Sequence, residues 1–120
     1  MVLARAIERL RRFLPRNRRA ARQRARELLF SCLDESQRTE YERTRGFTVR
    51  GQSGQRYCIG FGTVANIGVL NDRGDLLYRL CAGPTGVPVP AAMLAQKLML
   101  ETREAEFLAI AVRHPLTFST

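Results

Sequence analysis

The 120-residue sequence has no tryptophan, and it contains only one histidine and one lysine. The histidine, His114, has no nucleophile motif beside it, so a hydrolytic triad lacks its base. Phosphate-binding loops, dinucleotide fingerprints and EF-hand spacings are absent as well. Asp72 and Asp75 both lie at a predicted turn, where acids are usually structural, so paired-carboxylate catalysis has little support. These absences predict that the protein is not an enzyme and needs no cofactor.

Long apolar runs are also missing. None approaches the roughly 18–20 residues that a membrane-spanning helix needs. Arg5, Glu8 and Arg9 interrupt any apolar stretch of a secretory signal. The arginine-rich start is similar to an organelle transit peptide, but those are normally rich in serine, and the first serine here is Ser31. We therefore expect a cytoplasmic protein, or one inside a virion assembled in the cytoplasm.

Cysteine is scarce, and its spacing does not favour a metal site. The three cysteines, Cys32, Cys58 and Cys81, leave one unpaired in any intramolecular disulfide scheme. With His114 they could supply four zinc ligands, but structural zinc ligands normally come in pairs about two to five residues apart. No such pair exists here, and free cysteine is more often a small buried apolar residue. We therefore predict no metal site.

Only residues 47–81 have the period of β-strands over a long stretch. Turn signals rich in glycine and polar residues occur at 52–54 and 71–74. Gly60 and Gly62 predict a bulge or a third tight connection. The alternating apolar residues are Val49, Tyr57, Ile59, Phe61, Val64, Ile67, Val69, Leu77 and Cys81. The pattern predicts four antiparallel strands, over 47–51, 55–61, 63–71 and 75–81.

A short helix is predicted immediately before the strands. Asp34 and Gln37 have the spacing of a capping box, which opens a helix over residues 35–45. Gly46 suits the position that follows a helix, where glycine accepts a left-handed backbone.

Two helices are predicted after the strands, over residues 90–101 and 103–113. The first carries a wide apolar band that suits the cover of a sheet, and Glu104 and Glu106 favour the first turn of the second. Pro115 then ends the helical pattern. The fold class is α+β, with a basic N-terminal helix, a short helix, a four-stranded antiparallel meander and C-terminal helices packed on one sheet face. The predicted domains are an arginine-rich helical arm (1–33), a small α+β domain (34–114) and a tail (115–120).

The net charge of +9 is confined to one end of the chain. Residues 1–26 contain ten arginines and one acid, Glu8, so they carry all of it, and residues 27–120 are neutral overall. Nineteen of the twenty basic residues are arginine. Because arginine presents a planar fork of donors, it grips phosphate or carboxylate in a bidentate way. The sequence therefore predicts a basic segment with an anionic partner.

Apolar residues in this basic segment recur with helical spacing. Pro15 lies between two such patterns and either kinks one helix or separates two. The apolar positions are Leu3, Ile7, Leu10 and Leu14 in the first pattern, and Ala21, Ala25, Leu28 and Cys32 in the second.

Four interpretations of the basic helix remain open. It binds nucleic acid through about five to eight phosphate contacts, it docks on an acidic protein, it lies on a membrane surface, or it is a solvated tail whose arginines reflect codon bias. The apolar stripe argues against a tail. We favour sequence-independent nucleic-acid binding, and the candidate phosphate contacts are Arg5, Arg9, Arg12, Arg16, Arg19, Arg22 and Arg26.

A second hypothesis is a structural subunit of a larger multi-chain assembly, such as a phage virion. The N-terminal helix would then dock on neighbouring chains, since the downstream core does not obviously require its apolar stripe. Under this hypothesis the protein forms a homo-oligomer or a hetero-oligomer.

The layout of residues 47–101 resembles a SWIM-type zinc module. The likeness rests on FTVRGQSGQRYCIG (47–60), a further strand, Leu80-Cys81-Ala82, a proline-bearing loop and a helix. In that family a β-hairpin leads to Cys-x-Cys, and Cys-x-His opens a helix. Here only Cys81 matches a ligand, so the resemblance implies a module that lost its zinc and binds nucleic acid or protein. The compact arginine-rich chain also resembles small phage-encoded proteins.

Overall fold

A computed structural model describes residue 5 and residues 8–9, 16–62, 64–83 and 86–116. Arg5, Glu8 and Arg9 are helical, and Arg12 and Pro15 lie outside these ranges. The helices are α1 (Arg18–Cys32), α2 (Glu35–Thr44), α3 (Val89–Thr102) and α4 (Glu104–Ile110), and the strands are β1 (Phe47–Arg50), β2 (Arg56–Ile59), β3 (Ile67–Leu70), β4 (Leu76–Cys81) and β5 (Val112–Pro115).

The strands form one antiparallel sheet in the order β1-β2-β3-β4-β5. Phe47 pairs with Ile59, Ile59 with Ile67, and Ile67 with Leu80, so these four side chains form one row on the inner face. All four are buried in the core. The predicted α+β class and the antiparallel meander are therefore confirmed, with five strands in place of four.

The fifth strand occupies residues that were predicted to end the last helix and begin a tail. Helix α4 stops at Ile110, and β5 pairs with β4 from Cys81↔Val112 to Tyr78↔Pro115. The residue before a proline is biased away from helical backbone, which favours extension at His114. Proline has no N–H to donate to a neighbouring strand, so it is tolerated mainly in edge strands, and β5 lies at the edge of the sheet.

Three apolar residues that were predicted to alternate into the core are exposed: Phe61, Val64 and Leu77. The ladder between β2 and β3 ends at Ile59 and Ile67, so Phe61 and Val64 lie in the connection. The register shifts between Val69 and Leu70, and Leu77 is the extra residue opposite that step. Tyr78 and Leu80 consequently face inward, and Cys81, on the other face, is half-buried.

The helical layer is built on α3, which packs against the inner face at β1 and β2 and against α1. Helix α1 buries Ala21, Ala25 and Leu29, a step of four. The predicted stripe was wrong at its end, because Leu28 is half-buried and Cys32 is exposed. Residues 16–33 of the predicted arm thus share one core with the sheet.

Candidate nucleic-acid interface

A cleft of about 1100 Å³ lies between α1, α2, the start of α3 and the connection from β2 to β3. Four arginines line it: Arg22 and Arg26 from α1, Arg38 from α2, and Arg45 just after α2. The cleft therefore collects cationic side chains from segments that are up to 23 positions apart in the sequence.

Arg22 and Arg26 lie one helical turn apart beside the buried stripe of α1. Each directly follows a buried alanine, Ala21 or Ala25, so packing of the stripe against α3 sets the orientation of the arginine face. Asn17 fixes the start of the helix, because its side chain accepts hydrogen bonds from the backbone N–H groups of Arg19 and Ala20. The two arginines are exposed at the wall of the cleft.

Arg38 joins the second helix to the end of the first. Its Nε donates a hydrogen bond to the carbonyl oxygen of Phe30 at 3.0 Å. Its guanidinium carbon lies 5.2 Å from the centroid of the Phe30 ring, which is within the range of a cation–π contact. The predicted capping box of Asp34 and Gln37 is confirmed, and it orients the first turn from which Arg38 projects.

Arg45 and Phe61 form a second arginine–aromatic pair across the cleft. The Arg45 guanidinium carbon is 5.2 Å from the centroid of the Phe61 ring, and Phe61 is 49% exposed. Arg45 has a φ of 63°, so the left-handed residue after α2 is this arginine and not the predicted Gly46. Gly46 meets another need, since a Cβ there would lie 2.9 Å from the carbonyl oxygen of Ile59.

Buried amides hold the connection that carries Phe61. The Asn66 Nδ2 donates to Gln96 Oε1 at 2.8 Å, and the Gln96 Nε2 donates back to Asn66 Oδ1 at 3.1 Å. Asn66 also receives the N–H of Gly60 on its carbonyl oxygen at 2.7 Å. Because both amide side chains are buried and paired, they fix the connection to α3.

The charge of the cleft is positive overall. Glu27 and Glu42 line it with the four arginines, which leaves a net charge of +2. Glu27 is already engaged by Arg24, at 3.6 Å. Within the described ranges, none of the ion pairs involves Arg22, Arg26 or Arg45. Those guanidinium groups are therefore available to an anionic ligand.

The structure brings together part of the predicted site. Of the predicted arginines, Arg22 and Arg26 line the cleft. Arg5, Arg9, Arg16 and Arg19 are exposed outside its lining, and Arg12 is not among the described residues. Sequence reasoning missed Arg38, Arg45 and Phe61. The glycines on both sides of Phe61 were interpreted as a bulge or a tight connection, but Phe61 itself was predicted to alternate into the core, and the structure places it in the exposed connection.

A buried carboxylate at the opposite end of the core is structural. Glu104 was predicted as a first-turn acid, but it is only 4% exposed. It accepts hydrogen bonds from the Tyr57 hydroxyl at 2.5 Å, the Ser53 N–H at 2.6 Å and the Ser53 hydroxyl at 2.9 Å. These contacts clamp the turn between β1 and β2 to the start of α4.

In this contact the Glu104 carboxyl is ionised and the Tyr57 hydroxyl is protonated. Burial alone raises the pKa of Glu104, but the hydrogen bonds from Tyr57 and Ser53 outweigh it and hold that pKa below its usual value. Burial, and then the Glu104 carboxylate, raise the pKa of the Tyr57 hydroxyl well above its usual value. An ionised carboxylate with a protonated phenol is a stable hydrogen-bonded pair, and it has no poised proton to transfer.

The cysteines do not gather. Cys32 is exposed, whereas Cys58 and Cys81 are half-buried. Burial, followed by the nearby Glu40, raises the pKa of the Cys58 thiol against the opposing effect of Arg79. Over the part of the chain that the structure covers, no three histidine, cysteine or acidic side chains are grouped to hold a metal ion.

No protein-family model, curated protein or solved structure matches this chain. Among the helices described, none combines the length and apolarity that a bilayer crossing demands.

Proposed function

We propose that this protein binds nucleic acid without catalysing a reaction, and that it holds the phosphate backbone with the arginines of the cleft and of the N-terminal segment. The observation that carries the proposal is the convergence of Arg22, Arg26, Arg38 and Arg45 on one cleft with a net positive lining. The guanidinium fork matches phosphate in a bidentate way, and at least half of protein–DNA hydrogen bonds go to phosphate oxygens and sugar.

The distribution of charge along the chain supports the same conclusion. Residues 1–26 carry the entire net charge of +9. The last arginines of this segment, Arg22 and Arg26, lie on α1 and line the cleft. Each neutralised phosphate releases counterions, so affinity should fall steeply with salt. Backbone contacts of this kind carry no sequence information, so binding should be independent of sequence.

The test is the salt dependence of affinity for a labelled oligonucleotide. Arg22→Ala/Arg26→Ala removes two cleft contacts, and the log–log slope should become shallower by about 1.4 for a single strand or about 1.8 for a duplex. Arg50→Ala/Arg73→Ala removes the same charge from exposed positions outside the cleft lining and is the matched control. Equal loss in both double variants would assign the affinity to net charge and not to the cleft.

A second function, a structural subunit of a multi-chain assembly such as a virion, is favoured by the β5 edge of the sheet. Val112 is 60% exposed there, with Leu108, Ile110 and Leu116 exposed nearby in the sequence. The outward backbone groups of this edge strand, with Val112 as its aliphatic side chain, offer a template for a strand from another chain.

Light scattering tests this second function. The wild-type protein should form oligomers whose mass rises with concentration, and Val112→Glu should return it to the monomer, because a charge on the edge opposes pairing. A wild-type protein that is monomeric at all concentrations tested would exclude self-assembly through this edge.

A further inference from the structure

We infer that the cleft takes single-stranded nucleic acid in preference to duplex, with one base stacked on the pair formed by Phe61 and Arg45. The inference rests on the proposed function and specifies the class of its ligand. It is carried by the exposed ring of Phe61, by Arg45 with its left-handed backbone, and by the anchored ends of the connection that bears Phe61.

Phe61 lies on the cleft without a role in the core. It is about half exposed, and it is absent from the residues that form or adjoin the hydrophobic core. An aromatic ring at the wall of a basic groove is the feature that proteins use to bind single strands, because every base has a face that stacks. Phe61 is therefore placed to contact a base while the arginines contact phosphates.

Arg45 reinforces this position. A non-glycine residue in the left-handed region is uncommon, and such strain concentrates at functional sites. Arg45 has this backbone, with a φ of 63°, and its guanidinium carbon lies 5.2 Å from the centroid of the Phe61 ring. A guanidinium beside the ring adds a second planar group that can stack on a base and pair with a phosphate.

The two ends of the connection that carries Phe61 are held in place. The reciprocal hydrogen bonds of Asn66 and Gln96 tie one end to α3, and the Gly60 N–H joins the other end to the Asn66 carbonyl oxygen. Anchored ends lower the loop entropy that a ligand has to overcome when it stacks on Phe61.

Base faces are accessible in a single strand and covered by their neighbours in a duplex. A cleft of about 1100 Å³ is slightly larger than pockets that enclose one small ligand, whose upper limit is about 1,000 Å³. It has room for a short run of unstacked nucleotides. Duplex can reach the exposed arginines, but it gains nothing from Phe61.

The experiment compares three probes whose strands are all 12 nucleotides long: a mixed-base single strand, a fully abasic single strand with the same number of phosphates, and a duplex. Fluorescence anisotropy at low salt gives each affinity. One stacked base contributes about 5- to 150-fold, so the base-containing strand should bind more tightly than the abasic strand by a factor in that range. Phe61→Leu keeps an apolar side chain without a ring and should remove the difference.

Phe61→Trp is the matched variant that keeps the ring. It should preserve the preference for the base-containing strand, and because the chain has no tryptophan it introduces a single indole at the site, which can be excited apart from the three tyrosines. The base-containing strand should quench that fluorescence, and the abasic strand should not. Thermal melts should show all three proteins folded, since Phe61 lies outside the core.

The outcomes separate the inference from the function on which it rests. Salt-dependent binding that is equal for base-containing and abasic strands, or a preference that survives Phe61→Leu, would overturn the stacking inference and leave phosphate binding standing. Failure of all three probes to bind at low salt would overturn both. Equal weakening of duplex and single-strand binding by Phe61→Leu would likewise overturn the stacking inference, because only the single strand exposes its base faces.

Discussion

Replacing Arg45 separates stability from binding, because its backbone is strained and its side chain faces the cleft. Arg45→Gly relieves the left-handed conformation, whereas Arg45→Ala retains it. Both variants lose the cation–π contact with Phe61, which contributes about 0.5–1 kcal/mol at an exposed site. The difference in free energy of unfolding between the two variants therefore isolates the effect of the left-handed backbone at position 45.

The magnitude follows from the left-handed region. There an L-residue costs about 1–2 kcal/mol, and the greater freedom of glycine in the unfolded chain offsets about 0.4–1 kcal/mol of the gain. The free energy of unfolding should therefore be higher for Arg45→Gly than for Arg45→Ala by about 1 kcal/mol. Relative to the wild type, Arg45→Gly should be nearly unchanged, and Arg45→Ala should be less stable by about 0.5–1 kcal/mol.

Urea denaturation followed by circular dichroism gives these free energies, and anisotropy with the single-stranded probe gives affinity for the same preparations. Both variants should bind equally weakly, although one is as stable as the wild type. Equal stability of the glycine and alanine variants would refute the assignment of strain to Arg45. Full affinity in either variant would refute its role in binding.

Three further predictions concern the contacts that hold the fold and the site. Glu104→Ala leaves the buried Tyr57 hydroxyl without its acceptor and should lower the free energy of unfolding in urea by about 2–4 kcal/mol. Glu106→Ala, at an exposed position in the same turn, is the control and should lower it by less than about 0.5 kcal/mol. Similar losses in the two variants would refute the structural role of Glu104. Because the folded pKa of Glu104 is lowered, its contribution to the free energy of unfolding should be present above about pH 4.3 and lost as the pH falls through the folded pKa. Because the pKa of Tyr57 is raised, its contribution to the same free energy should be lost as the pH rises above about 10. An acid unfolding profile of the wild type that matches that of Glu104→Ala would contradict this. Gln96→Leu leaves the Oδ1 of the buried Asn66 without its donor and should cost about 1–3 kcal/mol, although Asn66 Nδ2 keeps the Gly60 carbonyl oxygen. The variant should also reduce the preference for base-containing over abasic strands, and an unchanged preference would show that the amide pair does not position the stacking ring.

The parts of the fold that could be predicted are those that depend on neighbouring residues. The capping box at Asp34 and Gln37 involves positions three apart, and it opens a helix at the predicted residue. The turns at 52–54 and 71–74 contain Gly54 and Gly74, which both have positive φ as the turn signals require. Local patterns also gave the inner face of β1, β2 and β3 correctly.

The parts that were missed depend on residues far apart in the chain. Glu104 receives hydrogen bonds from side chains 47 and 51 positions away, so no local pattern shows that it is buried. Strand β5 exists because β4 offers it an edge, and only the proline at its end gave a local signal. The pairing of Arg45 with Phe61 likewise requires α2 and the sheet to meet.

The candidate site shows the same division. Arg22 and Arg26 could be found because a dense basic helix is visible in the sequence. Arg38 and Arg45 could not, since their segment alternates with acids and has the composition of an ordinary solvated surface. Tertiary packing turns the two segments toward one cleft, and this convergence is invisible in any one-dimensional pattern.

A titration of the ¹⁵N-labelled protein with the mixed-base single strand locates the binding surface, because amide chemical shifts report contact residue by residue. We expect salt-sensitive shifts that cluster at Arg22, Arg26, Arg45 and the glycines beside Phe61, with β5 unchanged. Shifts confined to β5 or to the outer face of the sheet, or no shifts at low salt, would show that the cleft does not bind nucleic acid.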